Sequence, residues 1–90
     1  MARNLTLGKA WPTPQLIRAA RGLANIDQKT LAAAAGVSRK AVISLEGDES
    51  DTMDYRRLKV LQKLQTVLEA KWRIEFLVSR VRLRAPGGRD

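Results

Sequence analysis

The chain has 90 residues, 44% of them apolar, and a formal net charge of +8, so it is one small basic domain. It contains neither Cys nor His, which excludes a disulfide scaffold, thiolate or imidazole metal ligation, and Cys- or His-based catalysis. No apolar run approaches the roughly 20 residues that span a bilayer and no apolar h-region opens the chain, so the expectation is a helix-rich cytoplasmic binding domain without membrane, metal or cofactor.

Residues 1–12 hold Gly8, Pro12 and two bases and read as an N-terminal arm. Thr13 followed by Pro14 is a helix start, with Thr13 as N-cap and Pro14 as the first helical residue. Leu16, Ile17, Ala20 and Leu23 then recur at helical spacing, and Asn25 closes the element. Asp27 is the next N-cap, opening a helix through Gln28 and four successive alanines, the residue with the best helix propensity, to a stop at Gly36. Ser38 caps a third helix, which runs to Glu46 and stops at Gly47. Residues 53–70 carry Leu58, Leu61, Leu64 and Leu68 in a strong helical stripe, with Ser50, Asp51 or Thr52 as the expected cap. From 73 to 84 the period changes to alternation: Ile74, Phe76 and Val78, then Val81 and Leu83. Two short strands with a turn or bulge at 79–80 fit this, and the β-branched content favours strands over a helix. Residues 85–90 read as a flexible tail.

Charge is unevenly laid out. Residues 1–45 carry seven bases and one acid, residues 46–54 five acids and no base, and residues 55–90 ten bases and three acids. Two basic segments flank an acidic loop. Such a balance suits nucleic acid, an anionic surface or an acidic partner. The basic residues do not share one helix face opposite large apolar side chains, so a membrane-surface role is not expected.

The informative stretch is 28–45. Two short helices joined by a tight turn must place apolar residues at the fourth and eighth positions of the first helix (Leu31, Ala35). They need a small residue at the fifth, where the helices cross (Ala32), and a residue tolerant of positive φ in the turn (Gly36). A core plug follows (Val37), with apolar residues five and eight further on (Val42, Leu45). All of these positions comply, which is the helix-turn-helix pattern. The outward positions of its second helix are Ser38, Arg39, Lys40, Ile43 and Ser44. They form a polar, cationic surface on a helix short enough to enter a major groove.

The segment GVSRKAVISLE (36–46) resembles the recognition-helix region of the XRE family, the Cro- and lambda-repressor-like DNA-binding domains. The similarity extends back through DQKTLAAAAGVS to IRAARGL and forward into the leucine-rich helix, covering residues 14–70. It implies a mainly α fold, a lambda-repressor-like bundle of four or five helices over 13–71, here with a short C-terminal β segment. It implies that Gln28 bonds a phosphate and buttresses the recognition helix, and that Lys29, Ser38, Arg39, Lys40, Ile43, Ser44 and Arg18 form the DNA-binding surface. Arg39 and Lys40 are then the candidates for guanine O6 and N7. Arg21 and Glu46 occupy positions that often form a semi-buried ion pair in this family, and Ala32 and Gly36 are structural. The loop GDESDTMD (47–54) departs from the family, since phosphate would repel it. It lacks the spacing of an EF-hand, so calcium is not expected.

A single small reader has a short footprint, so the 72–84 segment is expected to build a homodimer. Trp72 would anchor it, and Ile74, Phe76, Val78, Val81 and Leu83 would be buried around a two-fold axis, spacing two recognition helices about 34 Å apart on an inverted repeat. The leading expectation is a sequence-specific, nucleoid-associated regulator of transcription that binds double-stranded DNA, most simply a repressor. The alternative is an antitoxin or anti-activator on the same fold, gripping a protein partner through the acidic loop 46–54 or the C-terminal strands. An enzyme is not expected: Ser38 and Ser44 have no histidine base, and no Gly-rich phosphate loop is present.

Overall fold

The computed structural model describes residues 7–9, 11–48 and 52–84. The order of elements is β1 (Leu7–Lys9), α1 (Pro14–Ala24), α2 (Gln28–Ala35), α3 (Arg39–Glu46), β2 (Thr52–Asp54), α4 (Tyr55–Trp72), β3 (Ile74–Phe76) and β4 (Val81–Leu83). The molecule is mainly helical, with two small antiparallel strand pairs, β1–β2 and β3–β4.

Each helix starts where a side chain can satisfy an orphan backbone donor. The Thr13 hydroxyl accepts from the Leu16 amide, the Asp27 carboxylate from Thr30, the Ser38 hydroxyl from Ala41 and the Asp54 carboxylate from Arg57. The cap of α4 is therefore Asp54, not a residue of 50–52, because β2 occupies 52–54 and the helix starts only after it. Asn25 and Gly36 end α1 and α2 in the left-handed region, with φ of 59° and 74°. Arg73 ends α4 in the same way at φ 56°, turning the chain directly into β3.

One core collects a face from every helix: Ile17 and Ala20 of α1, Leu31 and Ala32 of α2, Val42 and Leu45 of α3, Leu61, Leu64 and Leu68 of α4. Leu23, which shares the spacing of Leu16 and Ile17, is exposed. Met53 of β2 and Ile74 of β3 complete the core.

Part of the arm expected over 1–12 is engaged with the rest of the chain. Residues 1–6 and 10 lie outside the described residues, but 7–9 pair with β2 in the register Leu7 to Asp54 and Lys9 to Thr52. Pro12 is fully buried. The tail at 85–90 and the acids Glu49 and Asp51 also lie outside the described residues.

The strands expected in 73–84 are present as a hairpin, with Ile74 opposite Leu83 and Phe76 opposite Val81. Val78 lies in its turn rather than in a strand and is 87% exposed. The hairpin folds back on its own bundle, against α1 and α4. Ile74 is buried in the core of its own chain, and Trp72, Phe76 and Val81 pack against that core. Ile74 is thus taken up by its own chain and Trp72, Phe76 and Val81 are partly so, and of the expected interface only Val78 and Leu83 are fully exposed. An alternating strand needs one apolar neighbour, and α1 and α4 supply it. Trp11 closes over the hairpin, its indole N–H donating to the Val78 carbonyl at 3.1 Å and its ring edge-on to Phe76.

Candidate nucleic-acid interface

The α2–α3 pair meets the packing demands stated above. Leu31 and Val42 are fully buried and Ala32 nearly so, Ala35 and Val37 are half-buried against the core, and Gly36 holds the left-handed turn between them. With Val42 and Leu45 turned into the core, α3 presents Arg39, Lys40, Ile43 and Ser44 to solvent. Ser38, also exposed, caps α3 through its hydroxyl at 3.0 Å from the Ala41 amide. Neither Arg39 nor Lys40 takes part in any of the ion pairs among the described residues.

The helix is braced from behind. Glu46, in its last turn, is 4% exposed and accepts from Arg21 Nε at 2.8 Å and Nη2 at 3.0 Å. Gln28 Nε2 donates to the same carboxylate at 3.0 Å. The bidentate bond raises the Arg21 pKa above its ordinary value, since the guanidinium is held charged by the carboxylate it grips. Arg21 also donates through Nη1 to the Ile26 carbonyl at 3.2 Å. A single buried carboxylate thus ties α3 to α1 and to the start of α2, and Arg21 in turn holds the connection between those two helices. Every buried side-chain polar atom among the described residues has a partner.

A shallow polar depression lies where these elements converge, lined by Arg21, Asp27, Gln28, Lys29 and Arg39. It brings three of the expected contact residues, Gln28, Lys29 and Arg39, together at the first turns of α2 and α3, where backbone N–H groups and the helix dipoles favour an anion. Asp27 shares this depression. The Thr30 amide it accepts from, and then the charges of Lys29 and Arg39, hold its carboxyl below the usual aspartate range. Arg18 is exposed on α1 and does not line the depression.

Arg57 belongs to no motif that singles it out. Its guanidinium reaches back from α4 to pair with Asp48 through Nη1 and to donate to the Ser44 hydroxyl through Nη2. The exposed end of α3 is therefore fastened to α4, and the Ser44 oxygen is engaged while its proton stays available for donation. No sequence signal points to this bridge, since a basic residue in the first turn of a long helix reads as a solvated charge. The same contacts change the acidic loop. Glu46 is buried under Arg21, Asp48 is paired with Arg57, and Asp54 caps α4.

Among the described residues no cluster of three acidic side chains is placed to hold a metal ion, and no helix is long and apolar enough to cross a membrane. No family model, curated protein or solved structure matches this chain.

Proposed function

We propose that this protein is a sequence-specific double-stranded DNA-binding regulator of transcription, most simply a repressor, that lays α3 in the major groove as the second helix of a helix-turn-helix. The observation that carries this reading is the division of labour in α3. Its apolar side is consumed by the core and its outer side offers two unpaired cations, a hydroxyl and one apolar side chain on a rigidly braced frame. Arg39 suits guanine O6 and N7, Ile43 suits a thymine methyl, and Ser44 suits either a base edge or a phosphate. Gln28 and Lys29, at the first turn of α2, are placed to hold the flanking phosphate, and Arg18 to meet the backbone further along. In lambda-repressor-like terms, the described helices would be the bundle and the buried Arg21–Glu46 pair its brace.

Two copies on an inverted repeat would set two such helices about 34 Å apart. Because the hairpin's apolar side faces its own chain, that pairing would use other surfaces or the DNA itself. Selection from a random duplex pool tests the reading: enrichment of a defined half-site, lost when Arg39 and Lys40 are replaced by Ala, is the expected result. A pool that stays random after several rounds would reject sequence-specific recognition.

The antitoxin or anti-activator reading keeps one observation in its favour. A solvent-facing trough between α2 and α4 is lined by Ala34, Ala35, Val67 and Ala70 with Lys59 and Lys63 on its rim, a surface suited to a partner protein. The acidic loop favours it less than its composition suggests, because Glu46, Asp48 and Asp54 are already engaged within the chain.

A further inference from the structure

The hairpin poses a question that the DNA-reading helix does not answer. Ile74, Phe76 and Val81 pack on its own bundle, yet its outer surface is strongly cationic. Residues 74–84 contain three arginines, Arg80, Arg82 and Arg84, against one acid, Glu75. All three arginines are exposed. Glu75 is already engaged by Arg82 Nε at 2.9 Å, and this bond holds its carboxyl below the usual glutamate range. Arg84 donates to a backbone carbonyl, that of Glu69, at 3.5 Å.

The arginines are ordered by the strand. Arg82 lies within β4 and Arg80 and Arg84 flank its two ends, and since side chains alternate along extended chain, an extended run through 80–84 would set all three on one side about 6.8 Å apart. Twice the rise per nucleotide along one DNA strand is also about 6.8 Å. The platform that carries them is rigid. Ile74 is fully buried, the Leu77 amide donates to the Arg80 carbonyl across the turn at 2.7 Å, the Arg84 amide donates to the Arg73 carbonyl at 2.7 Å, and Trp11 clasps the turn through Val78.

Self-pairing is the poorer use of such a surface. A two-fold axis through the hairpin would oppose two identical arginine rows, with Glu75 already engaged by Arg82, and would gain only Val78 and Leu83 as fully exposed apolar side chains to bury. A polyanion meets the surface without that cost. Position favours duplex DNA among polyanions, because both the hairpin and α3 pack on α1. An eleven-residue helix spans roughly 16 Å, about half of a ~34 Å duplex turn, so two elements seated on α1 lie within one turn of the same DNA site.

We infer that the β3–β4 hairpin is a second DNA contact, a cationic clamp in which Arg80, Arg82 and Arg84 hold the phosphate backbone beside the site read by α3. The inference rests on the DNA-binding reading. The clamp adds affinity and salt dependence and carries no sequence information of its own.

The test uses the full chain, a duplex selected from a random pool and a duplex of random sequence. In Arg80→Gln/Arg84→Gln the slope of log Kobs against log salt should fall by about one to two units, at about 0.9 per lost phosphate contact. Affinity should fall by the same factor on both duplexes, and sequence preference should be unchanged. Arg80→Lys/Arg84→Lys should restore the slope, which separates a phosphate contact from a folding defect. A wild-type slope in the Gln variant, with wild-type DNA binding intact, overturns the clamp and leaves the α3 reading standing. Loss of a dimer in sedimentation by the Gln variant also overturns it, since the hairpin would then be a self-association surface. Absence of DNA binding by the wild-type chain overturns the α3 reading and the clamp together.

Discussion

Replacing Glu46 by Ala should reveal how much of the placement of α3 depends on one buried carboxylate. Glu46 is 4% exposed and accepts three hydrogen bonds, two from Arg21 and one from Gln28. Removing one partner of a fully buried ion pair costs about 3–5 kcal/mol, because the other charge is left without compensation. Here the stranded charge is not fully buried. Arg21 is 23% exposed and keeps its bond to the Ile26 carbonyl, so part of the guanidinium can rehydrate. That lowers the expected loss to about 2–3 kcal/mol, still well above the roughly 0–1 kcal/mol of a surface pair. Glu46→Gln, which retains one acceptor and the side-chain volume, should lose about 1–2 kcal/mol. The assay is urea denaturation followed by circular dichroism, with the midpoint read at constant m-value. Crossing Glu46→Ala with Arg21→Met should show a coupling of about 1–3 kcal/mol, because the two side chains share one interaction. A loss below about 0.5 kcal/mol for Glu46→Ala would refute the brace and reduce the pair to surface decoration.

Other perturbations test neighbouring parts of the account. Arg39→Ala should lose about 1–3 kcal/mol of binding and relax discrimination at one base pair, and an equal loss on every duplex would reject its base-reading role. Gly36→Ala should cost about 1–2 kcal/mol of stability, from backbone strain alone: φ is 74° and nothing lies within 4 Å of the added methyl, so a neutral result in urea would contradict the left-handed turn. Leu64→Ala, fully buried at the centre of α4, should cost about 2–5 kcal/mol in the same assay, and a smaller loss would mean that the site collapses or is less buried. Asp27 has its folded-state pKa lowered by the Thr30 amide. Its contribution is therefore present above the unfolded value of about 3.9 and is lost as pH falls through the lower folded value. Asp27→Asn keeps a capping oxygen and should flatten that part of the acid limb, whereas an unchanged pH profile would show that the cap is not linked to ionisation.

The helices were legible because their ends are written in single residues. Thr13, Asp27 and Ser38 announce their helices, and Asn25 and Gly36 stop the first two at the left-handed positions where the chain turns. The α2–α3 pair was legible because its packing demands fall on seven nearby positions. What stayed hidden depends on distant partners. β1 and β2 are three residues each, too short for an alternating pattern, and they pair across more than forty residues of chain. Met53 enters the core only because that pairing carries it there. The displacement of the α4 cap to Asp54 follows from the same event. The alternation of Ile74, Phe76 and Val81 revealed strands, but period two does not say whether the apolar side meets another chain or its own. Arg57 shows the limit most clearly, since its bridge to Asp48 and Ser44 exists only once α3 and α4 are packed.

The central claim is that α3 reads duplex DNA through Arg39 and Lys40. Fluorescence anisotropy tests it most directly, with a labelled duplex recovered from a random pool and a random-sequence competitor, titrated at several salt concentrations against the wild-type chain and Arg39→Ala/Lys40→Ala. Wild-type binding should be salt-sensitive and prefer the selected duplex, and the double variant should remain folded, bind both duplexes alike and lose that preference. Equal wild-type affinity for the two duplexes, or a double variant that keeps the preference, would contradict the claim.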